Sequence, residues 1–280
     1  MLHKEINHHR ILLVAGAILI AVALFTGIMV FYVMQRHAEQ LLSNSLQSSL
    51  QNRKQLTISE LQRDIDKITT ISTRPFLIEQ LQRANEHAND PLAIPALDRA
   101  TRSFLVTGLS SLTLYGKNGQ ILAHAGNPIQ HPDLTVQLDN VSGRVQLLSA
   151  GKLFLRAAIA VIDAGQVIGN VVAEIPLPTL NNMLNDAKNL GGTGELALCA
   201  PAGGEMQCFP TTLNPQVFTL SKRTAQGVPL PMAHALEGKT GFITAQDYRH
   251  QQVIAAYTPI DNFGLGMVLK MDSAELYAPI

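Results

Sequence analysis

The sequence has no tryptophan, only two cysteines and no charge imbalance: 21 basic residues face 21 acidic ones in 280 residues. No lysine or arginine run interleaves with aromatics, so nucleic acid is not an expected partner. Two thiols, Cys199 and Cys208, fall short of the four ligands that a structural zinc site takes. Catalytic signatures are missing as well. Gly108-Leu-Ser-Ser-Leu lacks the last glycine of a nucleophile elbow. Gly191-Gly-Thr-Gly194 lacks the Lys-Ser/Thr ending of a phosphate loop, and there is no H-E-x-x-H. The expectation is a protein without catalytic residues, cofactor or metal. His3, His8 and His9 read as polar residues flanking the apolar run that begins at Ile11, rather than as a metal cluster. Asp64 and Asp66 read as part of a solvated helix face, and Glu237, Asp247 and Asp272 as surface or turn residues.

Apolar residues are plentiful by contrast: 46% of the chain, with a mean hydropathy of +0.14. Many of them lie in one stretch. From Ile11 to Met34 there is no charged residue, and about 20 apolar residues suffice to cross a bilayer. The run is longer than a secretory signal's apolar core, and no small-x-small cleavage site comes after it. It is read as a retained transmembrane helix; the alternative is a long-cored, cleaved signal. Lys4 and Arg10 before the run favour a cytoplasmic N-terminus (residues 1–10) over Arg36 behind it. Residues 35–280 then lie in the periplasm or exterior, on a bacterial inner membrane. The cysteines agree with that compartment. Glu195-Leu-Ala-Leu-Cys199-Ala-Pro-Ala-Gly-Gly-Glu-Met-Gln-Cys208 reads as two short strands around a Pro/Gly turn, which brings the sulfurs together. A disulfide suits an oxidising exterior; two buried thiols are the other possibility.

Gln35–Arg74 has no glycine or proline, and Leu46, Leu50, Arg53, Thr57, Leu61, Ile65 and Ile68 recur at helical spacing. This predicts a long stalk helix whose Leu46 and Leu50 pair with a second copy, while its upper part covers a folded domain. Further helical stretches lie at Phe76–His87, ended by Ala-Asn-Asp-Pro91, and at Ala96–Thr107. The period then changes to two. Leu112–Tyr115 and Gln120–His124 flank an Asn-Gly turn, a strong hairpin signal. Strands are expected at Gly143–Ser149, Lys152–Ile162 and Val167–Ile175. After a helix at Pro178–Lys188 the pattern repeats: the cysteine hairpin, a helix at Pro229–Glu237, then strands at Gly241–Asp247, Gln252–Ile260 and Gly264–Lys270. Helices succeeded by antiparallel strands, twice, is an α+β organisation.

This layout resembles the double Cache sensor family, in which a membrane-emergent helix carries two PAS-like antiparallel-sheet subdomains. The stretches that carry the resemblance are Gly238-Lys-Thr-Gly241, Asp247-Tyr-Arg249, Val253-Ile-Ala-Ala-Tyr257-Thr-Pro259-Ile260, Gly264 to Asp272 and Glu275 to Ile280, with Asp163-Ala-Gly165 to Ile175 as a second match. Leu265 departs from the aromatic common in relatives. The resemblance implies a membrane-distal subdomain over 75–187 and a membrane-proximal one over 188–280. It also implies a second membrane helix and a cytoplasmic output domain beyond residue 280. That output would be a diguanylate cyclase or phosphodiesterase, a histidine kinase, or a chemoreceptor module.

PAS-like sheets hold small ligands in apolar pockets with a few convergent polar groups. Tyr115, His124, Arg156 and Glu174 are the candidate ligand-binding residues. Arg156 interrupts the apolar run Leu153–Ala160. Pointing inward, it must pair with a protein carboxylate or an anionic ligand; pointing outward, it is a solvated surface residue. Glu174 matches in position the acidic residue that holds the ligand amine in amino-acid-binding relatives. The rest of their motif contains tryptophan, which this chain lacks. The sequence thus points to a homodimeric transmembrane sensor of a small molecule. The competing reading is a ligand-free interaction or spacer module.

Overall fold

A computed structural model describes residues 2–87, 90–139, 141–186 and 191–276, and their side chains except those of 2–15, 17, 35, 38, 39 and 276. The chain divides into two units, residues 1–45 and 46–280. In the first, helix α1 (Leu2–Ser72) presents Ile18, Leu19, Phe25 and Phe31 at 58–71% exposure. Among the described residues no helix is long and apolar enough to cross a membrane. The span expected at Ile11–Met34 begins on side chains outside the described ones.

In the second unit, α1 buries Leu46, Leu50, Thr57, Leu61, Ile65, Ile68 and Ile71. The expected apolar stripe therefore forms, but Leu46 and Leu50 do not await a second copy: each is 1% exposed within the single chain. The reason is that the folded region reaches this low. Gln51 donates to Thr258 at 3.5 Å and Lys54 pairs with Asp261 at 3.6 Å. Asp64, expected on a solvated face, is buried beside the Arg63 guanidinium. Glu60 is buried too, and its two carboxylate oxygens accept the backbone N–H groups of Thr179 (2.9 Å) and Leu180 (2.7 Å). These are the first N–H groups of α4 (Pro178–Asn185), which have no intrahelical partners. A side chain of α1 thus caps α4.

Pro75 opens α2 (Pro75–Glu86), where its missing N–H costs nothing. The stop expected at Ala-Asn lies outside the described residues. Asp90 accepts from the N–H groups of Leu92 and Ala93, both at 2.8 Å, and so starts α3 (Ala93–Leu105). The first sheet holds β1 (Ser111–Gly116), β2 (Ile121–Gly126), β3 (Leu134–Gln137), β4 (Arg144–Ser149), β5 (Leu153–Asp163) and β6 (Gln166–Pro176) in the order β2-β1-β6-β5-β4-β3. The β1–β2 turn is the expected one, with Gly119 at φ +78°. All the pairs are antiparallel. Along β5 the odd-numbered residues from Leu153 to Val161 are buried and the even-numbered ones half-buried, so one face builds core and the other remains partly open.

The second sheet repeats the plan. It contains β7 (Glu195–Ala202), β8 (Glu205–Cys208), β9 (Phe218–Ser221), β10 (Gly241–Gln246), β11 (Gln252–Ile260) and β12 (Leu265–Asp272), ordered β10-β11-β12-β7-β8-β9. In both sheets the first strand pairs with the last inside the sheet, with β12–β7 as the middle pair of the second. Helix α5 (Pro231–Leu236) packs on the second, and α6 (Ser273–Leu276) comes after its last strand. The expected strands are all present; β3 and β9, four residues each, were not expected.

Cys199 and Cys208 sit directly opposite each other across β7 and β8 and form the disulfide. Both are buried within an apolar cluster with Met206, Leu230, Met232 and Val268. They are nine positions apart in the sequence, a short loop, so reduction is expected to cost about 2–3 kcal/mol by the chain-entropy relation. Thermal melts with and without reductant measure this, and thiol labelling of the denatured, unreduced protein should find neither cysteine.

Candidate ligand-binding site

The register of the first sheet places all four predicted residues on one face. Thr113 lies opposite His124, Ser111 opposite Glu174, and Glu174 opposite Arg156. Tyr115 shares that face because side chains alternate along β1. Along β5 this is the half-buried side, while Ser111, Thr113 and Glu174 are buried on it.

Two of the four are in contact. Arg156 Nε donates to Glu174 Oε1 at 2.7 Å, and a second guanidinium nitrogen reaches the same oxygen at 2.5 Å. Glu174 is 1% exposed, and a buried carboxylate needs this pairing. The pair also grips the loop between β2 and β3 through both backbone groups of one residue. Arg156 donates to the Ile129 carbonyl at 2.5 Å, while the Ile129 N–H donates to Glu174 Oε2 at 3.0 Å. His124 is linked instead to Thr113, Nδ1 to Oγ1 at 2.9 Å. Tyr115 stands opposite Asn170, four residues along β6 from Glu174, about 13 Å at strand spacing. The face therefore carries one charged clamp, Arg156–Glu174–Ile129, with Tyr115 apart from it. Ile129 and Thr113 lie outside the predicted set; nothing in an irregular loop marks Ile129, because it acts through its backbone.

The second sheet contains a charged group that the sequence pattern did not reveal. Lys270, buried in β12, forms an ion pair with Glu195 at 2.7 Å and donates to Asp247. Arg249 joins Asp247 at 2.7 Å and reaches Asp272. Tyr248 donates to Glu195 at 2.8 Å, and Thr211 donates to the same oxygen. Asp247, expected as a surface or turn residue, stands in the turn between β10 and β11 but is buried. Desolvation raises its pKa, but hydrogen bonds and charges from Lys270 and Arg249 outweigh it and hold the carboxyl below the usual aspartate range. Burial, then the charge of Glu195, pushes the Tyr248 phenol above its ordinary value. The void beside this group, against Cys199, Cys208 and Phe218, is about 30 Å³, room for water but not for a metabolite.

The glycine-rich turn at 191–194 has an internal occupant. Glu275 accepts the N–H groups of Gly192 (2.5 Å) and Thr193 (2.9 Å) and the Thr193 hydroxyl. Those bonds, the hydroxyl's first, hold its carboxyl below the usual range. A cleft of about 580 Å³ opens between the two sheets. Its walls are the start of β3, the β4–β5 turn, α4, and the loop Pro210–Val217. Among the described residues no group of three or more His, Cys, Asp or Glu could hold a metal ion.

No family model and no curated protein sequence matches the chain. Solved structures do. The ligand-binding domain of the Campylobacter jejuni chemoreceptor Tlp3, solved with 4-methylisoleucine, superimposes with a TM-score of 0.52 at 14% identity, over 87% of this chain and 95% of that one. The chain has the double Cache fold. Two further matches are the ligand-binding domain of the Pseudomonas aeruginosa amino acid chemoreceptor PctB with L-Gln (TM-score 0.46, 15% identity, 84% and 93% covered) and the sensor domain of the V. cholerae histidine kinase DctB (0.47, 11%, 84% and 98%). Within the double Cache fold of this chain, the first sheet carries the Arg156–Glu174 clamp on its open face and the second carries the disulfide and the Lys270 group.

Proposed function

We propose that this chain is the sensory region of a membrane receptor, in which a small molecule on the open face of the first sheet regulates an output domain outside the chain. The output would be a diguanylate cyclase or phosphodiesterase, or a histidine kinase. Arg156 gripping Glu174 and the Ile129 peptide carries this reading. A carboxylate ligand competes with Glu174 for the guanidinium, and an amine competes with Arg156 for Glu174. Either frees the β2–β3 loop, so occupancy has two discrete readouts. The Tlp3 domain, with the same fold, was solved with an amino-acid-like ligand, which supports a ligand of this polarity.

The anchor in this reading is the uncharged stretch Ile11–Met34, which places residues 35–280 outside the cytoplasm of a bacterial cell. The apolar side chains from Ile18 to Met34 that stand exposed support it, since such a surface is stable in lipid and costly in water. The receptor is a homodimer whose copies meet along the outward row of α1, Ser48, Asn52, Gln55, Leu56 and Ser59, rather than through Leu46 and Leu50.

One observation favours the ligand-free reading: Arg156 and Glu174 already satisfy each other. A thermal-shift screen of the full chain in nanodiscs against small carboxylates and amines decides between the two. A ligand at a hundred times its Kd is expected to add about 2.7 kcal/mol. Arg156→Gln should lower baseline stability by about 1–3 kcal/mol and remove that increment. No stabiliser across the library would favour the interaction or spacer module.

A further inference from the structure

The 580 Å³ cleft between the sheets is of the size that encloses metabolites elsewhere, and it lies apart from the Arg156 face. Its walls are fixed. The Asp133 N–H donates to the Ser149 carbonyl at 2.7 Å, and the Thr211 N–H to the Asn214 carbonyl at 2.7 Å, with Pro210 and Pro215 stiffening that loop. Its floor is apolar: Leu153 and Leu184 are each 3% exposed. Its mouth is charged with both signs, Asp133 beside β3 and Lys152 in the β4–β5 turn. Among the described residues neither charge has an ion-pair partner, and the side-chain amide of Asn181, also in the wall of the cleft, has no hydrogen-bond partner. Groups that satisfied one another would close such a mouth; these do not.

We infer that the cleft is a second ligand site, taking a zwitterion of dipeptide size. The ammonium meets Asp133, the carboxylate meets Lys152 and the Asn181 amide, and a small side chain covers Leu153 and Leu184. The site also has a route to the rest of the molecule. Asn181 and Leu184 belong to α4, whose N-terminus is held by Glu60 of α1. A ligand that moves α4 therefore moves the contact on α1. This inference does not depend on the Arg156 face being a ligand site.

The test is calorimetric titration of the full chain in nanodiscs with Ala-Ala, Leu-Ala, and their N-acetylated and C-amidated forms. The expected result is saturable binding of the free dipeptides, weakened about three- to tenfold by Asp133→Asn and by Lys152→Gln. Each blocked peptide should mimic the loss of the matching charge. Both substitutions are on exposed side chains, so folding is preserved. Absence of dipeptide binding at millimolar concentration, binding indifferent to both cleft substitutions, or binding lost only in Arg156→Gln would each overturn the assignment.

Discussion

Lys270→Ala is expected to destabilise the chain by about 3–5 kcal/mol, the range for removing one partner of a buried ion pair. Lys270 is 3% exposed and holds two carboxylates, Glu195 at 0% and Asp247 at 4%. Without it, Glu195 retains the Tyr248 and Thr211 hydroxyls but faces Asp247 with no cation between them. Urea unfolding measures the loss. The combined change Lys270→Met with Glu195→Gln should recover much of it, because no charge is then left buried unpaired. The pH dependence comes from Asp247, whose folded pKa lies below its unfolded value. Its contribution is complete above the ordinary aspartate pKa of about 3.9 and is lost as pH falls through the lower folded value. Wild type should therefore lose stability in acid more steeply than Asp247→Asn.

Leu50→Asp is expected to unfold the chain rather than to separate two copies. At 1% exposure, the substitution removes apolar contact and buries a carboxylate one turn from Lys54, whose ammonium is already paired with Asp261. The cost is about 4 kcal/mol or more. Leu56, on the same helix and in the proposed dimer row, is 51% exposed, and Leu56→Asp should lower the mass while changing the stability of the folded chain by no more than about 0.5 kcal/mol. Circular dichroism in urea, paired with light scattering, separates the two effects. If Leu50→Asp left the melt unchanged and lowered only the mass, Leu50 would face the second copy after all.

These residues also mark what is legible in the sequence. Periodicity locates the stripe on α1, but it cannot say whose surface the stripe meets, since a neighbouring module and a second copy ask for the same spacing. The Asn-Gly hairpin, the cysteine hairpin and the long strands β5, β6, β11 and β12 are readable from turn chemistry and alternation. β3 and β9 alternate too, Leu134 with Val136 and Phe218 with Leu220, but over four residues, too few to stand out. Arg156 stands out because it interrupts an apolar strand, and its partner Glu174 belongs to the predicted set. Lys270 interrupts Gly266–Met271 in the same way and carries the same signal. Glu195, Asp247 and Arg249 cannot be joined to it without the register, being far apart in the chain. Ile129 leaves no trace, because its contribution is a peptide group.

The disulfide, the uncharged Ile11–Met34 stretch and the ligand face all presuppose that the two sheets fold outside the cytoplasm. Reporter fusions joined after Ser110, within the folded region, test that most directly. An alkaline phosphatase fusion should be active there, because it requires export, and a fusion to a reporter that works only in the cytoplasm should be silent. An active cytoplasmic reporter at Ser110 with a silent phosphatase would contradict the account.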